Sequence, residues 1–294
     1  MSSAATANGT SLRSSSRART VLRTAGTLPL GVKIGGLVVA IFALAAIFAP
    51  LVAPYGPDQL DLNAIFAAPS SAHWFGTDDT GRDVFSRTLY GLRLDLALAL
   101  LVTYIPLPLG ALAGAVAGFF GGWADTIISR IADVMISFPF IVLIIAIVAI
   151  IGPGVEAFLI GVPLAAWALY ARLARSRMLV LREQPFMLAT AALGYSRRRA
   201  LFRHAFPNVL RPCLVYSTVD LIGNLLLLAG LSYLGVGIQP PTADLGSIIS
   251  SGQPYLLTAW WITTLPGLTL VAFGVGVGLV GEGLADRSSE WSAQ

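Results

Sequence analysis

Charge is what this chain has least of. Asp, Glu, Lys and Arg make up 12% of its 294 residues, about half the ~25% usual in soluble domains. Apolar residues reach 56%. A soluble fold of this size would lack the polar surface to cover itself, so composition places the chain in a membrane. Lysine is nearly missing: Lys33 stands alone, and the other eighteen basic residues are Arg. A formal charge of +4 would suit a nucleic-acid binder only if it covered one polar face. Here the arginines gather at the ends of apolar runs and in the opening stretch, so no nucleic-acid partner is expected. Cysteine is as scarce. Cys213 alone makes neither an internal disulfide nor a cysteine metal cluster, and at the start of an apolar run it reads as packing.

Catalytic signatures are missing too. There is no GxxxxGK[ST] phosphate loop, no HExxH and no GxSxG elbow, and His73 and His204 fall on opposite sides of the membrane in the topology below. No catalytic residue, metal ligand or cofactor of this chain's own is expected. Within the spans Asp220 reads as the one clearly intramembrane acid, with Asp133 and Glu282 near span ends. Ion-coupled carriers usually need several such groups as relays. This looks like a membrane part without its own energy source.

What is present is a set of apolar runs. Six are near span length: Gly31–Ala53, Leu94–Phe119, Ile136–Ile151, Val155–Leu173, Cys213–Val236 and Trp261–Leu284. Pro106 and Pro108 should kink the second. The third is the weakest, because its clean run starts after Pro139 and the preceding TIISRIADVMIS is half polar. If the spans alternate, sixteen basic residues lie on the side of both termini, and Arg82, Arg87 and Arg93 on the other. The positive-inside rule makes both termini cytoplasmic. The expected organisation is a tail over 1–30, a first helix over 31–53, an external segment over 54–93, a core over 94–287 and a C-terminal tail over 288–294. The tail's Ser, Ala and Arg also fit a transit peptide, but a cytosolic tail that orients a signal-anchor helix is the reading adopted.

The external segment carries Asp58, Asp61, Asp78, Asp79 and Asp83, without the alternating spacing of a calcium loop. A folded cap with local contacts at Arg82 and Asp83 is expected. With Gln239 of the second external segment, Asp78, Asp79, Arg82 and Asp83 are candidates for external docking. Trp260 and Trp261 fit an interfacial aromatic belt.

On the cytoplasmic side, residues 174–212 interrupt the apolar chain. ATAALG is a small-residue helical run ended by Gly194, a natural terminator. SRRRALFRH restarts with Leu201 and Phe202 among basic residues, and Pro207 resets the chain. Charge for topology explains the arginines but not the glycine, the small-residue face or His204-x-x-Pro207. Two short helices meeting at a glycine offer a knob for a soluble partner.

Leu188-Ala189-Thr190, Gly194, His204 and Pro207 resemble the coupling loop of inner-membrane permeases of ATP-binding-cassette importers. FGTDDTGRDVFSRTLYGLR at 75–93, FFGGWADTIISRIADVMISFP at 119–139, LSYLGVGIQPP at 231–241 and GEGLADR at 281–287 resemble the C-type permeases of dipeptide, oligopeptide and nickel importers, in the same order. The resemblance runs from about residue 30 to the end. It implies an all-α type I permease fold with six transmembrane helices in a bacterial or archaeal plasma or inner membrane. It also implies a B-type sister permease, two cytoplasmic ATPases that hold ATP and Mg, an external substrate-binding protein or lipoprotein, and membrane lipid around the whole. The coupling loop would comprise Leu188, Ala189, Thr190, Gly194, Arg197, Arg198, Arg199, Leu201, Phe202, His204 and Pro207. Leu188 stands where the family usually has Glu, Thr190 where it has a second small residue, and Leu228 where a Glu precedes LSYLG. The expectation is that Arg197, Arg198 and Arg199 compensate for Leu188; a drifted paralogue with poor coupling is the alternative. Asp220 and Asn224, one turn apart, are pathway candidates, with interhelical hydrogen bonding as their other reading. Peptide is the expected cargo. Nickel, opines or glycan fragments are alternatives within the family; an ATPase-independent carrier or channel, or a scaffold, would lie outside it.

Overall fold

The computed structural model describes residues 29–292, leaving aside the side chains of Ala191 and 284–292. The arginines expected to orient the tail (Arg13, Arg17, Arg19, Arg23) and the side chain of Arg287 lie outside the described residues. Among those described, the chain is all-α, with a single isolated bridge, Thr77 to Asp83, in the external segment. The helices of eight residues or more are α1 (Leu30–Ile47), α2 (Val84–Tyr104), α3 (Pro106–Phe120), α4 (Gly122–Ser137), α5 (Phe140–Ile151), α6 (Val155–Leu181), α7 (Pro185–Ala192), α8 (Phe206–Tyr233), α9 (Leu245–Gly252) and α10 (Trp261–Ser292). Five continuous helical stretches are long and apolar enough to cross a membrane, and α4 with α5 supplies a sixth, broken one. The chain is a polytopic membrane protein.

Prolines set the breaks. Helix stops at Tyr104 and restarts at Pro106, whose missing N–H costs nothing at a helix start. Ile105 between them keeps helical angles (φ −69°, ψ −51°), so α2 and α3 continue as one 37-residue stretch. The expected kink is therefore an interruption without a sharp turn. Pro139 has the larger effect: Phe138 before it is extended (φ −85°, ψ 140°), as a residue preceding proline prefers, and α4 and α5 meet at 88°. The half-polar character of α4 follows from its neighbour. Asp125 takes both Nε and Nη2 of Arg175, the latter at 2.8 Å, and Asp133 takes Arg172 at 2.7 Å, so its acids are spent on α6.

The second span begins at Val84 rather than Leu94. Asp83 caps it, Oδ2 accepting from the Ser86 N–H at 2.8 Å, and the first turns lie under the external segment instead of in lipid.

Helix α3 packs along α6 in the same direction, through glycines at every fourth position. A Cβ at Gly110 would lie 2.3 Å from the Trp167 carbonyl oxygen. At Gly114 it would lie 2.0 Å from that of Ala171, and at Gly118 2.9 Å from that of Arg175. Lipid tails supply no hydrophobic drive for helix association, so such close backbone approach is a main source of attraction. Helix α1 runs antiparallel to α10 in a similar way, Gly35 lying against the Gly276 carbonyl.

Gly114→Ala is expected to lower the melting temperature of the purified protein, although Ala is ~1 kcal/mol the better helix former. Gly223→Ala, where a Cβ meets nothing within 4 Å, should leave it unchanged or raise it. Equal shifts in the two variants, measured by thermal unfolding in detergent, would refute the close-contact account.

Candidate functional site

The interruption between α6 and α8 folds as a knob on the bundle. Helix α7 turns Met187 and Thr190, three apart, inward, where both are buried. Thr190 Oγ1 donates to the Met187 carbonyl at 2.7 Å, which accommodates a hydroxyl where a small residue was expected. Leu188 points away from the bundle at 59% exposure. The helix ends at Gly194, whose φ of +74° a side chain would resist, and the Tyr195 N–H returns to the Thr190 carbonyl at 3.1 Å. Ser196 caps the next turn, Arg197–Arg199, accepting from the Arg199 N–H at 3.3 Å.

A six-residue π-helical stretch, Ala200–Ala205, then leads into α8, with Pro207 in its first turn. The wider coil drives Ala200, Leu201 and Ala205 into a cluster with Met178, Met187, Val209 and Cys213. Phe202 is left 53% exposed. Arg199 lies over the Tyr195 ring at 4.4 Å, and Tyr195 stacks on His204 at 5.6 Å. The Nε2 of His204 is buried and has no hydrogen-bond partner among the described residues. The knob thus presents apolar Leu188, Leu193 and Phe202, all exposed, beside arginines. Phe119 packs against its base, and Arg182 Nη1 donates to the Gly118 carbonyl at 3.1 Å. Met187 as an anchor was missed in the sequence; its signal is the spacing to Thr190.

Deeper in the bundle, Asp220 and Asn224 meet partners on other helices. Tyr170 of α6 donates to Asp220 Oδ2 at 2.7 Å. Asn224 Nδ2 donates to Thr103 of α2 at 2.9 Å and approaches Asp220 at 3.3 Å. The two residues join three helices, and Asn224 is buried. Interhelical hydrogen bonding is thus what the geometry supplies.

Asp220 is not the only acid inside a span. Asp95 of α2 is fully buried, and its Oδ2 accepts from the Leu245 N–H at 3.0 Å. Asp244, the cap of α9, accepts from the Ser247 N–H at 3.2 Å. Two carboxylates therefore sit at the start of α9, where the helix dipole favours negative charge. Burial nevertheless pushes the Asp244 carboxyl above its ordinary value, against hydrogen bonds from Ser247 and Ser232. One stripe of α2 holds the second external segment: Arg87 Nη2 reaches the Pro241 carbonyl at 3.5 Å, a Cβ at Gly91 would lie 3.1 Å from Asp244 Cα, and Asp95 follows. Spacing of four along α2 was the available signal, but its partner lies 150 residues away.

The external segment is a cap tied by its own acids. Asp78 Oδ1 accepts from the N–H groups of Thr80 and Arg82 at 2.9 and 3.0 Å, and its Oδ2 takes Arg82 Nε at 2.7 Å. Asp83 holds His73 at 2.9 Å besides capping α2, and the Trp261 Nε1–H reaches the Thr77 carbonyl at 3.1 Å. Asp78 and Asp83 are buried. They shape the surface instead of facing a partner, while Asp79 and Gln239 are exposed.

Residues 108–289 match the family described as the binding-protein-dependent transport system inner membrane component. The chain belongs to this family. Residues 32–69 match the N-terminal TM domain of oligopeptide transport permease C. A dipeptide transport system permease protein, DppC, of Alkalihalophilus pseudofirmus is 38% identical over 253 residues, 86% of this chain and 83% of that one. A probable D,D-dipeptide transport system permease protein, DdpC, of Escherichia coli is 36% identical over 250 residues, covering 85% and 84%. A di/tripeptide transport system permease protein of Pseudomonas aeruginosa is 35% identical over 260 residues, 86% of each chain. The inward-facing MetNI methionine ABC transporter structure overlaps 64% of this chain and 91% of that one, with a TM-score of 0.47 and 19% identity. This permease is therefore a membrane-spanning component of a binding-protein-dependent transport system.

Leu201→Ala should destabilise the permease by about 2–5 kcal/mol, read as a fall in melting temperature. Replacing Arg197, Arg198 and Arg199 together by Gln should leave melting nearly unchanged and slow ATP hydrolysis by the assembled importer several-fold. Unchanged hydrolysis in the triple variant would mean that the arginines serve topology only.

Proposed function

We propose that this permease imports short peptides as one half of a heterodimeric pathway, with both termini cytoplasmic in a plasma or inner membrane. A B-type sister permease supplies the other half. Two cytoplasmic ATPases bind ATP and Mg, and this chain performs no covalent chemistry itself. An external binding protein or lipoprotein delivers cargo to the cap, meeting Asp79 and Gln239 on a surface that Asp78, Arg82 and Asp83 hold in shape. The observation that carries the reading is the knob over Pro185–Ala205. Its outer face offers apolar side chains beside arginines, and its inner face is locked by Met187, Thr190 and Leu201 to the ends of α3, α6 and α8.

Mechanically, a push on the knob reaches the spans because little in between can yield. A ligand shifts a conformational equilibrium only as far as it binds one state better than the other. ATP held between the two ATPases supplies that difference, and the knob delivers it to α6 and α8. Asp220 and Asn224, where those two helices meet α2, are the polar groups nearest such a rearrangement and the candidates for lining the pathway. Peptide is favoured as cargo by the three relatives above, each named for di- or tripeptide transport.

The test is uptake by proteoliposomes that contain the assembled importer and its binding protein. ATP-dependent accumulation of a labelled dipeptide, with nickel left outside, is expected. Nickel accumulation without dipeptide would replace the cargo, and uptake of either without ATP would overturn the coupled mechanism.

A further inference from the structure

Arg93 is the last basic residue on α2, toward the cap end of the helix. Its side chain is exposed, and no hydrogen bond or ion pair engages it among the described residues. Asp58, in the same cavity wall, is engaged by Arg87 at 3.1 Å, and Asp95, two residues along and buried, by the Leu245 N–H. An exposed guanidinium with no counter-charge is open to an anion, and its fork is well matched to phosphate oxygens.

Two cavities meet at this arginine. The upper, 340 Å³, lies under the cap, with Asp58, Tyr90 and Thr242 in its wall. The lower, 490 Å³, lies between α1, α2, α8 and α10 and is walled by such residues as Val39, Leu96, Leu221 and Phe273, with Tyr104 and Thr218 among its few polar groups. Arg93 and Ala97 line both. A mouth with a few polar groups (Asp58, Tyr90, Thr242) above an apolar chamber, joined at a cation, suits an amphiphile. The lower volume falls within the ~300–1,000 Å³ of ligand sites. A peptide backbone would leave most of its N–H and C=O groups unpaired there, whereas an acyl chain meets mostly apolar walls.

We propose that Arg93 and the two cavities it joins hold one anionic phospholipid from the cap-side leaflet, its phosphate at the guanidinium and one acyl chain between α1, α2, α8 and α10. The lipid fills the seam where the first helix lies against the core, and it ties α1 to α2 beyond their direct contact. A phospholipid here is a structural ligand of the permease, distinct from the cargo.

The test is native mass spectrometry of the assembled importer, released into mild detergent from vesicles of phosphatidylglycerol mixed with phosphatidylcholine. The wild type should retain one phosphatidylglycerol per importer more than Arg93→Gln does. Occupancy of that lipid should fall at least five-fold in Arg93→Gln and also in Ala97→Trp, which fills the junction while keeping the charge. If Arg93→Gln does not assemble, Ala97→Trp decides alone. Undiminished occupancy in the variants that assemble, equal retention of phosphatidylcholine, or displacement of the lipid by a dipeptide would each overturn the proposal, the last by making this a cargo site.

Discussion

The close contact of α3 with α6 is the constraint on which the rest depends. Inside a bilayer, apolar side chains gain nothing by leaving lipid for one another, so a bundle coheres through van der Waals contact and polar ties. Gly110, Gly114 and Gly118 let two backbones meet with no side chain between them. That contact aligns the cytoplasmic ends of the two helices. Arg182 on one and Gly118 on the other are then in hydrogen-bond reach, and the knob leaves α6 from a fixed place. Without that alignment Met187 and Leu201 would have no pocket, and a force on the knob would be lost in helix sliding.

The same reasoning governs the outer end. There the spans leave lipid, and polar ties carry more of the load: Asp83 starts α2, Arg87 holds both external segments, and Asp95 holds the start of α9. Each tie uses a side chain that composition alone would assign to solvent. The scarcity of charge in the chain follows from this. Most charges outside the arginine-rich knob have a structural partner; Arg93 is among the few without one among the described residues.

Much of this was legible beforehand, because membranes impose simple rules. Apolar length gave the six crossings, and the order of short motifs gave the family. Pro139 marked the break in the third crossing, though not its angle of 88°, which depends on Asp125 and Asp133 finding Arg175 and Arg172. The start of the second span was misplaced because apolar runs report where lipid begins, while Asp83 starts the helix earlier, under the cap. The three glycines of α3 were visible at their spacing of four, but their partner helix was not. Asp95 escaped notice for a like reason: its role is set by Leu245, far along the chain. Between α6 and α8, Leu201 and Phe202 stand adjacent in the sequence, and the π-helical turn decides their directions, Leu201 inward and Phe202 outward.

The central claim is that this chain is a coupled part and not a transporter in itself. The most direct measurement is the native mass of the C-terminally tagged protein extracted in mild detergent, with its companions identified. The account predicts an assembly with one different permease and two ATPase subunits. Recovery of this chain alone or as a homo-oligomer, across several gentle detergents, would contradict it.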